Sequence, residues 1–360
     1  MWDVVVCGGG PAGAVASHQL ARAGHRVLLA DRIDPDAHKV GEALPGAAAR
    51  LLRALGLPVP PGDGGHAPIG GNLSAWGADA PVATDFLRDP DGPGWRLDRR
   101  RFDAELRSAA AAAGAGLRTA HLVELAREGR EWRIGFDDGG TVRARWLVDA
   151  TGRRAAVARK LGAVRHRDAR LVAVYALGKA SPAFRANRTL IEAVPRGWWY
   201  AARLPSGDAV AGFHTDPRDA VPLVRDHEAW EQALAQSRHV FALMGGTRFD
   251  RPLGATEACG ARLNEVLGDG WVACGDAAQS FDPVSAQGIL SALHGGMKAA
   301  ELVRAALEGA APDRDAYRAQ LDRIRRTYLA RRLAAYRSER RWPEERFWTR
   351  HGAGKADARI

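Results

Sequence analysis

The stretch DVVVCGGGPAGAVASHQLARAGHRVLLADR, Asp3 to Arg32, decides the fold. Val4, Val5 and Val6 form a short, wholly apolar and β-branched run, the pattern of a buried strand. The chain then turns at Gly8, Gly10 and Gly13, enters a helical pattern and returns to a second strand in HRVLLAD. Gly8 permits the tight turn, and Gly10 lets the backbone approach a pyrophosphate. Gly13, after Ala12, allows close packing of helix on strand, and the helix N-terminus faces the phosphates. Asp31 ends the second strand with Arg32 beside it, where a carboxylate accepts hydrogen bonds from an adenosine ribose. Glycines alone carry little weight; strand, helix and acid in register carry the reading.

The bulk properties set bounds around that unit. A chain of 360 residues makes one large domain or two interlocked ones, and its 46% hydrophobic and 26% charged residues belong to a soluble globular protein. Cys7, Cys259 and Cys274 have neither metal-ligand spacing nor the number for a disulfide framework, so no metal is expected and a reducing cytoplasm fits. No apolar run approaches the ~20 residues of a membrane span, and MWDVVVCGGG reads as the first strand rather than a leader. The net charge of +10 rests almost wholly on arginine, as a GC-rich genome also produces. Between Asp313 and Arg350, twelve arginines stand against six acidic residues, a basic face that is either a solvated helix surface or a dock for an acidic polypeptide. No nucleic-acid-binding pattern accompanies it.

The bound nucleotide is NAD or FAD, and two distant segments choose FAD. WLVDATGRRAAVARKLG puts Asp149, Ala150, Thr151 and Gly152 at the end of another apolar strand. GWVACGDAAQSFDPVSAQG gives a strand, then Gly275 and Asp276, then a loop whose last glycine, Gly288, opens a helix. The Asp276 carboxylate is placed for the ribityl chain. Amides around Ala286, Gln287 and Gly288 can hold the negative charge on the pyrimidine side of a reduced flavin, with Pro283 against the isoalloxazine ring.

The GxGxxG start, the DATG strand and the GDAAxxxDPxxxQG loop, in this order, resemble the FAD-dependent aromatic hydroxylase and halogenase superfamily across most of the chain. The resemblance implies an α/β fold. A discontinuous Rossmann-like FAD domain spans 1–65, 95–165 and 255–310. A mostly antiparallel substrate sheet spans 66–94 and 166–254, and a helical C-terminus covers 311–360. It also implies that Arg99, at the start of a helix with Asp103, contacts FAD from the side.

KVGEALPGAAARLLRALGL is similar to the segment that runs beside the flavin in the halogenase-like branch. Glu42 is either a functional acid near the ring or a carboxylate favoured at a helix N-terminus. RGWWYAARLP, Arg196 to Pro205, is reminiscent of the halogenases' tryptophan-rich signature without matching it. Strand alternation sends Trp198 and Trp199 to opposite faces, so at least one of them packs the core. Flavin halogenases deliver their oxidant through a lysine downstream of the GE pair, and no lysine lies between Lys39 and Lys160. Arginine does not replace it as a nucleophile, which disfavours halogenation. Gly71 to Leu106 and the tail YRSERRWPEERFWTRH resemble the flavoprotein maturases of tryptophylquinone cofactors, of the lysine and glycine oxidase type.

The expected function is hydroxylation of an electron-rich ring, foremost a peptide-borne tryptophan, through a flavin C4a-hydroperoxide. O2 is the co-substrate, and NAD(P)H supplies electrons directly or through a separate flavin reductase. The alternatives are a flavin halogenase of an indole or phenol, and a non-catalytic flavoprotein holding an acidic partner. Glu42, Trp198, Trp199 and His214 are the catalytic candidates. His66, Trp76, Asp79 and Asp85, in a Gly/Pro-rich loop region, are weaker ones. Tyr317, Leu321, Ile324 and Tyr328 recur at helical spacing as a packing stripe, which Trp342, Phe347 and Trp348 cap.

Overall fold

The structure, a computed structural model, describes residues 1–32, 39–60, 65–86, 89–184, 187–252 and 254–353. The expected end of the C-terminal segment, residue 360, lies outside the described residues.

The valine run forms the strand Trp2–Cys7, whose last four residues are buried. It is central to five parallel strands in the order Trp271–Ala273, Thr141–Asp149, Trp2–Cys7, Val27–Asp31, Gly116–Thr119. Register sets Cys7 beside both Asp149 and Ala30. The glycine turn, the DATG segment and Asp31 therefore share one carboxyl edge, where open α/β sheets bind ligands. An antiparallel ribbon, Leu122–Glu128 and Glu131–Phe136, continues the sheet beyond Thr141–Asp149. Helices Arg99–Ala112 and Gly288–Leu307 both pack on Pro11–Arg22. The last of these contacts is close enough that a side chain at Gly296 would strike the Ala12 carbonyl.

The second sheet runs Arg248–Phe249, Val172–Lys179, Asp208–Thr215, Gly197–Arg203, Arg188–Val194, Gly71–Ala75, Val82–Asp85. Its pairings are antiparallel except for Arg188–Val194 with Gly71–Ala75. One face packs Trp199 and Phe213 against Trp230 of the helix His227–Ala235, with helices Pro217–Arg225 and His239–Met244 beside it. Buried Glu192 caps the last of these by accepting from the amides of Arg238, His239 and Val240. The region expected as loop around His66 to Asp85 is largely strand: His66–Ile69 pairs with Gly94–Leu97 in a small sheet, and Asp85 ends Val82–Asp85. Edge pairing satisfies this backbone despite its glycine and proline content.

The C-terminus is helical, with Arg314–Ser338 followed by Arg346–Gly352. Tyr317, Leu321 and Tyr328 are buried on the body of the protein, and the Tyr317 hydroxyl donates to the Ala273 carbonyl at 2.7 Å. Phe347 and Trp348 sit on the second helix and pack in a separate cluster with Trp198 and Tyr336, rather than capping the packing of Tyr317 and Leu321.

Candidate active site

The carboxyl edge fits an extended dinucleotide. Gly8 adopts φ +106°, a left-handed conformation that favours glycine, and its Cβ would strike the Ala150 carbonyl. A Cβ at Gly13 would strike the Gly8 carbonyl, so that glycine is needed for packing. Gly10 differs: nothing lies within 4 Å of where its Cβ would stand. Gly288 faces open space in the same way. Gly10 and Gln287 are the N-caps of helices Pro11–Arg22 and Gly288–Leu307, and neither helix start receives a side-chain cap. Free amides at two helix N-termini, each beside an open glycine, suit the pyrophosphate and the flavin's anionic edge. Ala12 is buried against Gly275 and Gly296, and Arg32 is exposed.

Carboxylates stand around this edge. An Asp31 oxygen lies 3.0 Å from the Cβ position of Gly9, and Arg107 donates to the Gly9 carbonyl at 3.3 Å. Arg153 lies 3.5 Å from Asp276 and ties the carbonyls of Cys259 and Phe281. Burial pushes the Asp276 carboxyl up, opposed by Arg153, Arg165 and Arg99. Arg99 itself holds the carbonyls of Val40 and Gly41 and the carboxylate of Asp103, fixing the segment that carries Glu42. Pro283 starts a short 3-10 turn, and Ala286 after it is left-handed at φ +50°.

Glu42 precedes the short strand Ala43–Leu44, not the helix Ala48–Leu55, so the helix-dipole explanation does not apply. It is buried and accepts a hydrogen bond from the Tyr200 hydroxyl at 3.1 Å. Arg96, also buried, donates to the same hydroxyl at 2.7 Å and to Thr189 at 2.8 Å. Burial raises the Tyr200 phenol well above its ordinary range, so it stays protonated as the link between guanidinium and carboxylate. Tyr200 and Val284 of the Pro283 turn both pack against one aromatic cluster.

Trp198 and Trp199 are both buried, on opposite faces as alternation requires. Trp199 is core under the helices. Trp198 stacks on His214 with ring centroids 3.6 Å apart and planes within 2°, and its indole N–H donates to the Tyr336 hydroxyl at 3.3 Å. Trp76 packs edge-on against Trp198, Tyr336 and Trp348 and donates to the Ala335 carbonyl. His66 is buried and accepts from the Asp98 amide, while Asp79 pairs with Arg341 and Asp85 with Arg188 on the surface.

Burial pushes the His214 pKa down to about 3. An unfolded histidine titrates near 6.5, so below that pH the unfolded chain binds more protons. Stability is therefore full above about pH 6.5 and falls as the pH drops towards 3. His214→Phe keeps a ring on Trp198 and removes this titration. The variant should lose about 2–3 kcal/mol less than wild type between neutral pH and about pH 4.5 in denaturant melts. Parallel stability curves for the two proteins would sink this account.

Sequence reading did not find Arg96, Arg107, Arg153, Tyr200 or Tyr336 as site residues. Tyr200 was within reach, because alternation puts it on the same face as Trp198. The arginines gave no signal among so many others.

Fold and edge together define an FAD-dependent α/β oxidoreductase. Residues 1–332 match the FAD binding domain family, and the chain belongs to it. LodB of Marinomonas mediterranea, assigned as an FAD-dependent oxidoreductase, is 31% identical over 366 residues, covering 99% of this chain and 98% of LodB. The myxobacterial chondrochloren halogenase CndH shares the fold at TM-score 0.80 and 24% identity, over 97% of this chain and 85% of that one. QhpG, a peptidyl tryptophan dihydroxylase essential for tryptophylquinone cofactor biogenesis, aligns at TM-score 0.77 and 25% identity, over 97% and 78%. The superfamily and maturase resemblance read from the motifs is borne out. No helix among the described residues is long and apolar enough to cross a membrane.

Proposed function

We propose that the chain is an FAD-dependent monooxygenase that hydroxylates an electron-rich ring, foremost an indole carried on a polypeptide. One observation carries this most: the Glu42–Tyr200–Arg96 set on the segment that Arg99 fixes, with no lysine in it. Among the described lysines, Lys39, Lys179 and Lys298 are paired with Asp103, Asp208 and Glu301, and Lys160 with the Val123 carbonyl. A lysine relay for halogen has no candidate there. The name of QhpG supplies the substrate class, and the likeness to LodB spans almost the whole of both chains.

FAD, once bound and reduced, supplies electrons and activates O2. Each cycle takes a ring C–H, O2, two electrons and two protons to a ring C–OH and water, the electrons coming from NAD(P)H directly or through a flavin reductase. Glu42 accepts a proton from the ring as it is attacked. Arg96, through the Tyr200 hydroxyl, keeps that carboxylate oriented. The Trp198–Trp76–Trp348 cluster keeps water away from one side.

The test is intact mass of a tryptophan-bearing partner peptide after incubation with holoenzyme, reductant, 18O2 and bromide. Mass gain from one or two labelled oxygens is expected. Bromine addition would replace the reading with halogenation. An unchanged peptide, with O2 consumed on free indoles, would move the substrate to small molecules.

A further inference from the structure

Of the twelve arginines between Asp313 and Arg350, eight are held by the protein itself. Arg314, Arg318, Arg325, Arg332, Arg341, Arg346 and Arg350 pair with carboxylates, and Arg337 donates to the Gly352 carbonyl. Much of the basic tail is therefore internal fastening. Arg323, Arg326, Arg331 and Arg340 are exposed and have no ion-pair partner among the described residues. Arg323 and Arg326 stand three apart on one helix, a like-charge spacing that destabilises an isolated helix.

Two of these four line a cleft of about 390 Å³ between the tail helix and the loop before Gly288. Ser285 and Gln287 form the loop side, while Arg323, Thr327 and Arg331 recur every fourth residue along the helix side. They lie on one helix face, the two guanidinium stems about 12 Å apart along the axis. The lining holds Arg323, Arg331 and Arg332 and no carboxylate, and the two acids behind it, Asp282 and Asp168, are tied to Arg332 and Arg325, so its net charge is positive. Two cations at this separation match acidic side chains four residues apart on one face of an extended strand, about 13 Å from one to the next.

We propose that this cleft seats an acidic segment of the polypeptide substrate, with its carboxylates on Arg323 and Arg331 and its backbone along Ser285 and Gln287. The proposal rests on the reading that the ring is peptide-borne. It adds the chemistry of the flanking sequence, and it explains why these arginines are left free while their neighbours are tied.

The experiment is fluorescence anisotropy of FAD-loaded protein with two labelled peptides of about ten residues, one rich in Asp and Glu around a tryptophan and one its Asn and Gln isostere. The acidic probe should bind about tenfold tighter, and more weakly as salt rises. R323E/R331E should remove that preference, and R323K/R331K should keep most of it. R53E/R170E, which changes the net charge equally at two exposed arginines outside the tail, should leave it within about twofold. Equal losses in both charge-reversal pairs would overturn the proposal. So would displacement by NADPH, which would reassign the cleft to the electron donor, or equal affinity for single-stranded DNA of matched charge. If the acidic probe binds through Arg323 and Arg331 but is never oxygenated, the monooxygenase reading fails and the dock stands. If it is oxygenated with a KM indifferent to R323E/R331E, the reading stands and the dock fails.

Discussion

Replacing Gly10 with aspartate should abolish flavin retention while leaving the apoprotein as stable as wild type or slightly more so. Gly10 is the N-cap of the helix Pro11–Arg22, with extended backbone at φ −74° and ψ −175° and open space where a Cβ would stand. Aspartate is among the best N-cap residues and replaces glycine there with a gain of a few tenths of a kcal/mol. Its carboxylate would accept from the amides that otherwise remain for the pyrophosphate, and would put a negative charge where two more must come. Like-charge placement of this kind costs several kcal/mol, so FAD affinity should fall by about a hundredfold or more. Absorbance of bound flavin after desalting, read beside the melting temperature of the apoprotein, checks both halves. Gly13→Ala is the contrast: its methyl meets the Gly8 carbonyl, so it should lower apoprotein stability as well. A Gly10→Asp protein that keeps its flavin would remove the cradle from this edge.

The two glycines show where the sequence is legible. Their roles follow from a motif confined to consecutive residues, and strand, turn and helix are all local. The opposite faces of Trp198 and Trp199 were equally accessible, because a two-residue period needs no partner. Glu42, Arg96 and Tyr200 are different. Arg96 and Tyr200 are 104 positions apart and Glu42 and Tyr200 158, and only the packing of the substrate sheet on the small sheet brings them together. The tail failed in a third way. Counting arginines gives a basic face, yet Arg325, Arg332 and Arg350 direct their charge to Asp168, Asp282 and Asp216, which lie in loops distant in sequence. Charge composition cannot tell a fastened arginine from a free one, and the distinction is what gives the remaining cleft its meaning.

Asp282 is the most consequential of those partners. Its carboxylate is buried and accepts from the Val284 amide at 3.0 Å, the Tyr336 hydroxyl at 2.9 Å and Arg332 at 3.2 Å. Arg332 is buried beside it and continues to His351 at 2.9 Å, so the tail is tied to the turn that leads into Gln287 and Gly288. Asp282→Asn strands a buried guanidinium and puts an amide N–H group where the Arg332 and Tyr336 donors expect an acceptor. It should cost about 3–5 kcal/mol and weaken FAD binding as well. Arg332→Met strands the carboxylate instead and should cost a similar amount. The double variant Asp282→Asn/Arg332→Met carries no buried charge, and asparagine can still accept from Val284 and donate towards Tyr336. It should recover at least about 2 kcal/mol of the summed single losses, a coupling that independent sites do not show. Denaturant melts of the four apoproteins measure this, and flavin affinity in the same four separates the two tasks of the carboxylate. If the double variant regains stability and flavin together, the cap on the turn is what FAD needs. If it regains stability alone, the negative charge of Asp282 acts on the flavin loop directly. Strictly additive losses would mean that Asp282 and Arg332 are neighbours without being partners.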